Sequence, residues 1–171
     1  MPRMEVKGID NYISMLNKVS KNTEEVLNKA LYEGAGVMAN EVKNNIEALS
    51  AVKDEYNLKV YASNKNGNTG GNYKLSETQK KGLLDGLGIA PFDKNGGVVD
   101  THIGFDGYNG IKTKKYPKGQ PNVMIARIVE SGSSYFRKTP FIRKAVKSGK
   151  TKAEETMAKV IDDEISRLKK E

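Results

Sequence analysis

Residues 88–107, GIAPFDKNGGVVDTHIGFDG, decide the fold class. The stretch DKNGG (93–97) is turn chemistry, and beyond it Val99, Thr101, Ile103 and Phe105 alternate with partners of the opposite face. That pattern predicts a β-hairpin. On both sides of it the apolar residues recur at helical spacing instead. The chain is therefore expected to be α+β, with a long N-terminal helix and a C-terminal helix packed on a small antiparallel sheet.

Upstream, Ile9, Tyr12, Ile13, Leu16 and Val19 predict one helix over 9–19. Asn22 or Thr23, followed by glutamates, then offers an N-cap for a longer helix over 23–48, striped by Leu27, Leu31, Met38, Val42 and Leu49. Gly34 and Gly36 interrupt the stripe at a cost of about 1 kcal/mol each relative to alanine, tolerable where another backbone packs closely. YNLKVYA (56–62) reads as a short strand, and the glycine- and asparagine-rich segment around 62–75 as a flexible loop. Ser76 and Gln79 form a capping box for a helix over about 77–87.

Downstream of the hairpin, residues 106–122 form a lysine-bearing loop, and Asn122 is placed to cap the helix VMIARIVE, closed by Gly132. Pro140 suits the first turn of a short helix through Val146. Thr151 with Glu154 is a second capping box, opening a terminal helix with Ala153, Met157, Val160 or Ile161, Ile165 and Leu168 on one face. At 171 residues, the chain is long enough for one domain with a real core, and residues 1–171 are expected to form a single one.

Several chemistries are not encoded. There is no cysteine, so disulfides, thiolate catalysis and thiolate-bound zinc are excluded, which fits intracellular synthesis. His102 is the single histidine, within the expected strand, and no carboxylate stands at a spacing from it that demands metal ligation. Asp162, Asp163 and Glu164 are consecutive and so fan around a helix rather than converge on a metal. KSGKT (147–151) resembles the end of a phosphate loop, but Lys144 stands where the first glycine belongs and a helix precedes it. No catalytic residue, metal site or cofactor is expected, and no apolar run or signal-like N-terminus points to a membrane.

The charge is localised. Residues 106–152 hold twelve basic residues against two acidic ones, a net of +10, so the whole excess of the chain's net +8 lies there. A basic block between near-neutral flanks reads as a located surface. Lys112, Lys114, Lys115 and Lys118 are candidate DNA-facing groups, with Tyr135 and Phe136 as stacking groups, although no named nucleic-acid motif accompanies them. In SGSSYFRKTPFIRKAV (131–146), Arg137, Lys138, Phe141, Ile142 and Arg143 have the composition of a protein interface. The bland alternative is that Phe141 and Ile142 seal the core under a short helix.

IARIVESGSSYFRKTPFIRKAV (125–146) resembles the C-terminal signature of the gene-product-ten-like tail-component family of long-tailed bacteriophages. Its A-x-x-x-E-x-G-[TS] element is matched by Ala126, Glu130, Gly132 and Ser133. Its P-F-[IL]-R-x-A element is matched by Pro140, Phe141, Ile142, Arg143 and Ala145, with Lys144 where family members commonly have proline. The hairpin, the KTKKYPKGQPN loop (112–122) and the opening helix are similar to a subgroup of that family. The resemblance implies a non-enzymatic virion protein of the head–tail connection, made in the bacterial cytoplasm. It implies a homo-oligomeric ring, six-fold favoured, around the DNA channel, contacting other neck and tail proteins. The alternative is a nonspecific nucleic-acid-binding accessory protein.

Overall fold

In the computed structural model, residues 9–65, 72–95, 98–168 and 170 are described, with side chains from Asn22 onward except at 93–99. The elements in order are α1 (Ile9–Glu47), α2 (Asp54–Lys65), α3 (Glu77–Gly86), β1 (Leu87–Ile89), β2 (Asp93–Asn95), β3 (Val98–Asp100), β4 (Ile103–Phe105), α4 (Asn122–Ser131) and α5 (Ile142–Leu168). The architecture is α+β, mostly helical, with long helices at both ends.

The frame is an antiparallel pair, α1 against α5. Gly34 of α1 faces Met157 of α5, so that a Cβ there would stand 2.5 Å from the Met157 Cγ. Gly149 of α5 reciprocates, where a Cβ would stand 2.9 Å from the Sδ of Met38 and the Cγ of Glu41. Each helix thus offers a glycine seat to a long side chain of the other. The close partner at Gly34 is a methionine side chain rather than the backbone expected, and Gly36 meets nothing within 4 Å.

Two departures from the sequence reading concern helix continuity. The expected break between 9–19 and 23–48 is absent, and α1 runs unbroken through Asn22 and Thr23. The expected helices at 140–146 and from Thr151 are likewise one α5 of 27 residues, in which Thr151 is an exposed mid-helix residue and not a cap. Capping residues inside a helix cost only tenths of a kcal/mol, which in α5 the burial of Ala145, Gly149 and Ala153 on one face readily outweighs.

At one end of the pair, Asn45 donates from Nδ2 to the carbonyl of Phe141 at 3.0 Å. Near the other, Lys29 donates to Glu164, which also forms an ion pair with Arg167 at 3.0 Å. Glu164 is the buried member of the acidic triplet, while Asp162 and Asp163 are exposed.

α2 corrects the strand expected at 56–62. Asp54 and Glu55 lie in its first turn and Lys65 in its last, the charge order that the helix dipole favours. The loop expected around 62–75 shrinks accordingly. Residues 62–65 finish α2, and 66–71 lie outside the described residues. Leu75 is buried, with its carbonyl accepting from Val52 N at 2.9 Å. The Ser76–Gln79 capping box forms as expected and opens α3.

The hairpin folds as two short ladders. β1 pairs with β4 in the register Leu87↔Phe105, and β2 pairs with β3 in the register Asp93↔Asp100. Pro91 lacks the N–H that a continuous ladder would need there. His102 falls between β3 and β4 rather than in a strand, exposed, with its carbonyl accepting from Ala90 N at 2.7 Å.

The core lies where α1, α3, α4 and the start of α5 meet: Val42, Ile46, Leu83, Ile125, Val129, Phe141 and Ala145 are buried together. Phe105 of β4 meets Phe141 edge-to-face, with centroids 6.0 Å apart. Among the described residues, no helix is long and apolar enough to cross a membrane.

The Glu164 site makes acid stability predictable. Its carboxyl is held below the ordinary carboxylate range, chiefly by the hydrogen bond from Lys29, with Arg167 adding attraction against the cost of burial. A depressed folded-state pKa gives stability that is complete above the unfolded-state pKa and is lost as pH falls through the folded one. Glu164→Gln should therefore flatten the fall of the denaturation midpoint on acidification below the ordinary carboxylate range, measured by urea titrations at stepped pH. An unchanged acid limb would refute the linkage.

Candidate interaction surface

The motif residues converge at the junction between α4 and α5. α4 ends at Gly132, which has φ of 78° and donates its N–H to the carbonyl of Ile128 at 2.8 Å. A Cβ at this position would also press on Lys138, 3.0 Å from its Cβ, so glycine is required twice over. The chain then closes a tight turn, with Ser133 N donating to the Phe136 carbonyl at 2.9 Å, and Thr139 N returns to the Val129 carbonyl at 2.8 Å.

α5 begins without an acidic residue in its first turn. Its anion comes from α4. The Glu130 carboxylate, in a residue only 8% exposed, accepts from the backbone N–H groups of Phe141 and Ile142 at 2.8 Å each and of Arg143 at 3.3 Å. The Arg143 guanidinium stands 3.5 Å away and adds charge balance. This is an N-cap supplied from eleven residues upstream, with a full negative charge at the positive end of the dipole. Ala126 and Ala145 are buried beside it.

The expected interface residues divide here. Phe141 is 1% exposed, so its assignment to a subunit surface is corrected: it is a core residue that touches Phe105 and closes the junction. Ile142 is half-buried against the same core. Arg137, Lys138 and Arg143 are exposed and remain surface candidates.

Beside the junction lies a groove of about 470 Å³ between the end of α1, residues 73–75 and residues 136–144. Its floor is apolar, with Leu49, Val52, Phe136 and Pro140, and its rim carries Lys74, Arg137 and Lys144. Tyr73 N donates to the carbonyl of Tyr135 at 2.8 Å, and the Tyr135 side chain stays exposed. Lys74 sits 5.1 Å over the ring of Tyr56. Neither Lys74 nor Tyr73 was marked by the sequence, since their neighbours are glycines and asparagines. Pairing to 135–136 is what brings them here.

The lysine loop is a separate feature. Asn109 is buried, and its Oδ1 accepts from Ile111 N at 2.9 Å and Gln120 N at 3.3 Å. Gly119, at φ 116°, passes so near that a Cβ would stand 2.0 Å from the Asn109 carbonyl oxygen. The neck is therefore pinned while Lys112, Lys114, Lys115 and Lys118 are exposed on the loop, and none of them lines the groove. Asn122 does not cap α4 as expected. Pro121 holds the N-cap position without a side-chain bond, and Asn122 instead donates from Nδ2 to the Asp106 carbonyl at 2.8 Å. Its carboxamide sits in a notch of α3, where Cβ atoms at Gly82 and Gly86 would both come within 2.6 Å of it.

KSGKT lies inside α5, which gives it none of the strand–loop–helix geometry of a phosphate cradle. Among the described residues, no group of three or more histidine, cysteine, aspartate or glutamate side chains gathers as a metal site. No family model matches the chain, and neither the curated proteins nor the solved structures contain a match to it.

The junction makes two substitutions comparable. Glu130→Ala strands three N–H groups at a helix start and should cost roughly 2–4 kcal/mol in guanidinium denaturation. Phe141→Ala opens a core cavity and should cost about 3–5 kcal/mol. Glu130→Gln keeps an acceptor and should fall between wild type and alanine. Equal loss for glutamine and alanine would show that the hydrogen bonds are not what Glu130 supplies.

Proposed function

We propose that the protein is a structural component of the phage head–tail connection, a tail-completion or neck protein that works in virion assembly as a ring around the DNA channel. It carries out no catalysis in this reading, and its lysine loop faces the channel DNA. The observation that carries the proposal is the convergence of the resemblance motif on one architectural feature. Glu130, Gly132, Phe141 and Ala145 meet at the capped junction. A motif spent on building a junction, with cations and aromatics displayed beside it, suits an assembly part better than a reaction centre. The expected genetic result is an accumulation of tail-less heads and free tails when the gene is inactivated, scored by electron microscopy of lysates. Normal particle yield would remove the proposal.

A second reading, nonspecific nucleic-acid binding as the function itself, is favoured by the four exposed lysines on a pinned loop. Salt titration of binding to a short DNA duplex separates the two. A true nucleic-acid binder loses affinity with a log–log slope of about −0.9 per phosphate contact. Replacing Lys112, Lys114, Lys115 and Lys118 with glutamine should then shrink that slope by roughly three to four. In the assembly reading, binding to free short duplexes stays weak at physiological salt.

A further inference from the structure

The cations at the start of α5 are set against its dipole, whereas Arg167 in its last turn is not. Its first turn carries Arg143 and Lys144, and basic residues continue at Lys147, Lys150 and Lys152. Carboxylates then dominate from Glu154 to Glu164. Cations in the first turn oppose the helix dipole, and the anion needed there is borrowed from Glu130. Helix formation therefore does not account for the cations at this start.

Two ends of the α1–α5 pair are complementary. At the core end lies the groove, with an apolar floor and a rim of Lys74, Arg137 and Lys144. At the other end Asp162 and Asp163 are exposed, next to half-buried Val160, Ile161 and Ile165. Lys29 and Arg167 are engaged by Glu164, while Lys159 and, just past the helix, Lys170 are the exposed cations nearby. At 1.5 Å per residue the two ends are separated by roughly 25–35 Å, so they cannot neutralise each other within one chain.

We infer that the occupant of the groove is a second copy of this chain, entering with the Asp162–Asp163 end of its α5. The carboxylates meet Arg137 and Lys144, and the neighbouring isoleucines cover the apolar floor. Because the two patches differ, each copy keeps one groove and one acidic end open. Association is then head to tail, and it closes into a ring if the rotation between copies permits. The inference rests on the assembly reading above and supplies its contact.

Sedimentation velocity of the full chain, from micromolar to millimolar and at low and high salt, tests it. Wild type should self-associate, less so at high salt. Arg137→Glu with Lys144→Glu should weaken association about tenfold or more, and Asp162→Lys with Asp163→Lys should do the same. Circular dichroism should show both double variants folded. An equimolar mixture of the two should recover association, since each reversed patch now finds its opposite, a rescue that damage to the fold cannot imitate.

A wild type that stays monomeric throughout would overturn the inference. So would double variants that associate like wild type, or a mixture that fails to recover. Loss of short-duplex DNA binding in the groove variant, with self-association unchanged, would assign the groove to nucleic acid instead. Charge-swap rescue in a protein whose gene is dispensable for particle formation would keep this contact and remove the assembly reading.

Discussion

Glu130, in the last turn of α4, caps α5 through three backbone N–H groups, and that act sets the direction in which a 27-residue helix leaves the core. Everything downstream depends on that direction: the burial of Phe141 and Ala145, the meeting of Gly149 with Met38, and the distant ion pair of Lys29 with Glu164. A carboxylate at a helix N-terminus is stabilised by dipole and hydrogen bonds together, which offsets the cost of burying it. The same group recruits Arg143, so a surface cation of the basic rim is positioned by the device that caps the helix.

The long helix pair is kept close by two glycines used in opposite directions. Gly34 accepts Met157, and Gly149 accepts the side chains of Met38 and Glu41. Methionine suits such a seat, being unbranched and able to follow an irregular gap. Between these contacts and the core, the small sheet plays a minor part. Its inner pair brings Phe105 to Phe141, and its outer pair extends beyond Pro91 as a separate ladder.

The fold class was legible because periodicity changes from helix to strand and back around residues 88–107, and the Ser76 capping box and the Gly132 terminator are local signals that the fold obeys. Helix continuity was not legible. Asn22, Thr23 and Thr151 carry strong capping chemistry, and at Thr151 the packing of α5 on α1 overrides it. Residues 56–62 alternate well enough to suggest a strand, yet acidic residues at 54–55 and a buried Val60 settle a helix. At the candidate site, the exposed cations were readable from charge alone. The core position of Phe141 and the reach of Glu130 across eleven residues were not, because both depend on a turn that brings 130 and 141 together.

The pinned lysine loop separates what the chain must preserve from what it can vary. Asn109 and Gly119 lock its base to the body, so the exposed residues between them contribute little to folding. Substitution or insertion at 112–118 can therefore retune charge and reach without a penalty in stability. The junction at Glu130 has no such freedom. Related chains adapting to different neighbours should drift fastest along this loop and slowest around the carboxylate, with folding and recognition evolving at separate rates in one small domain.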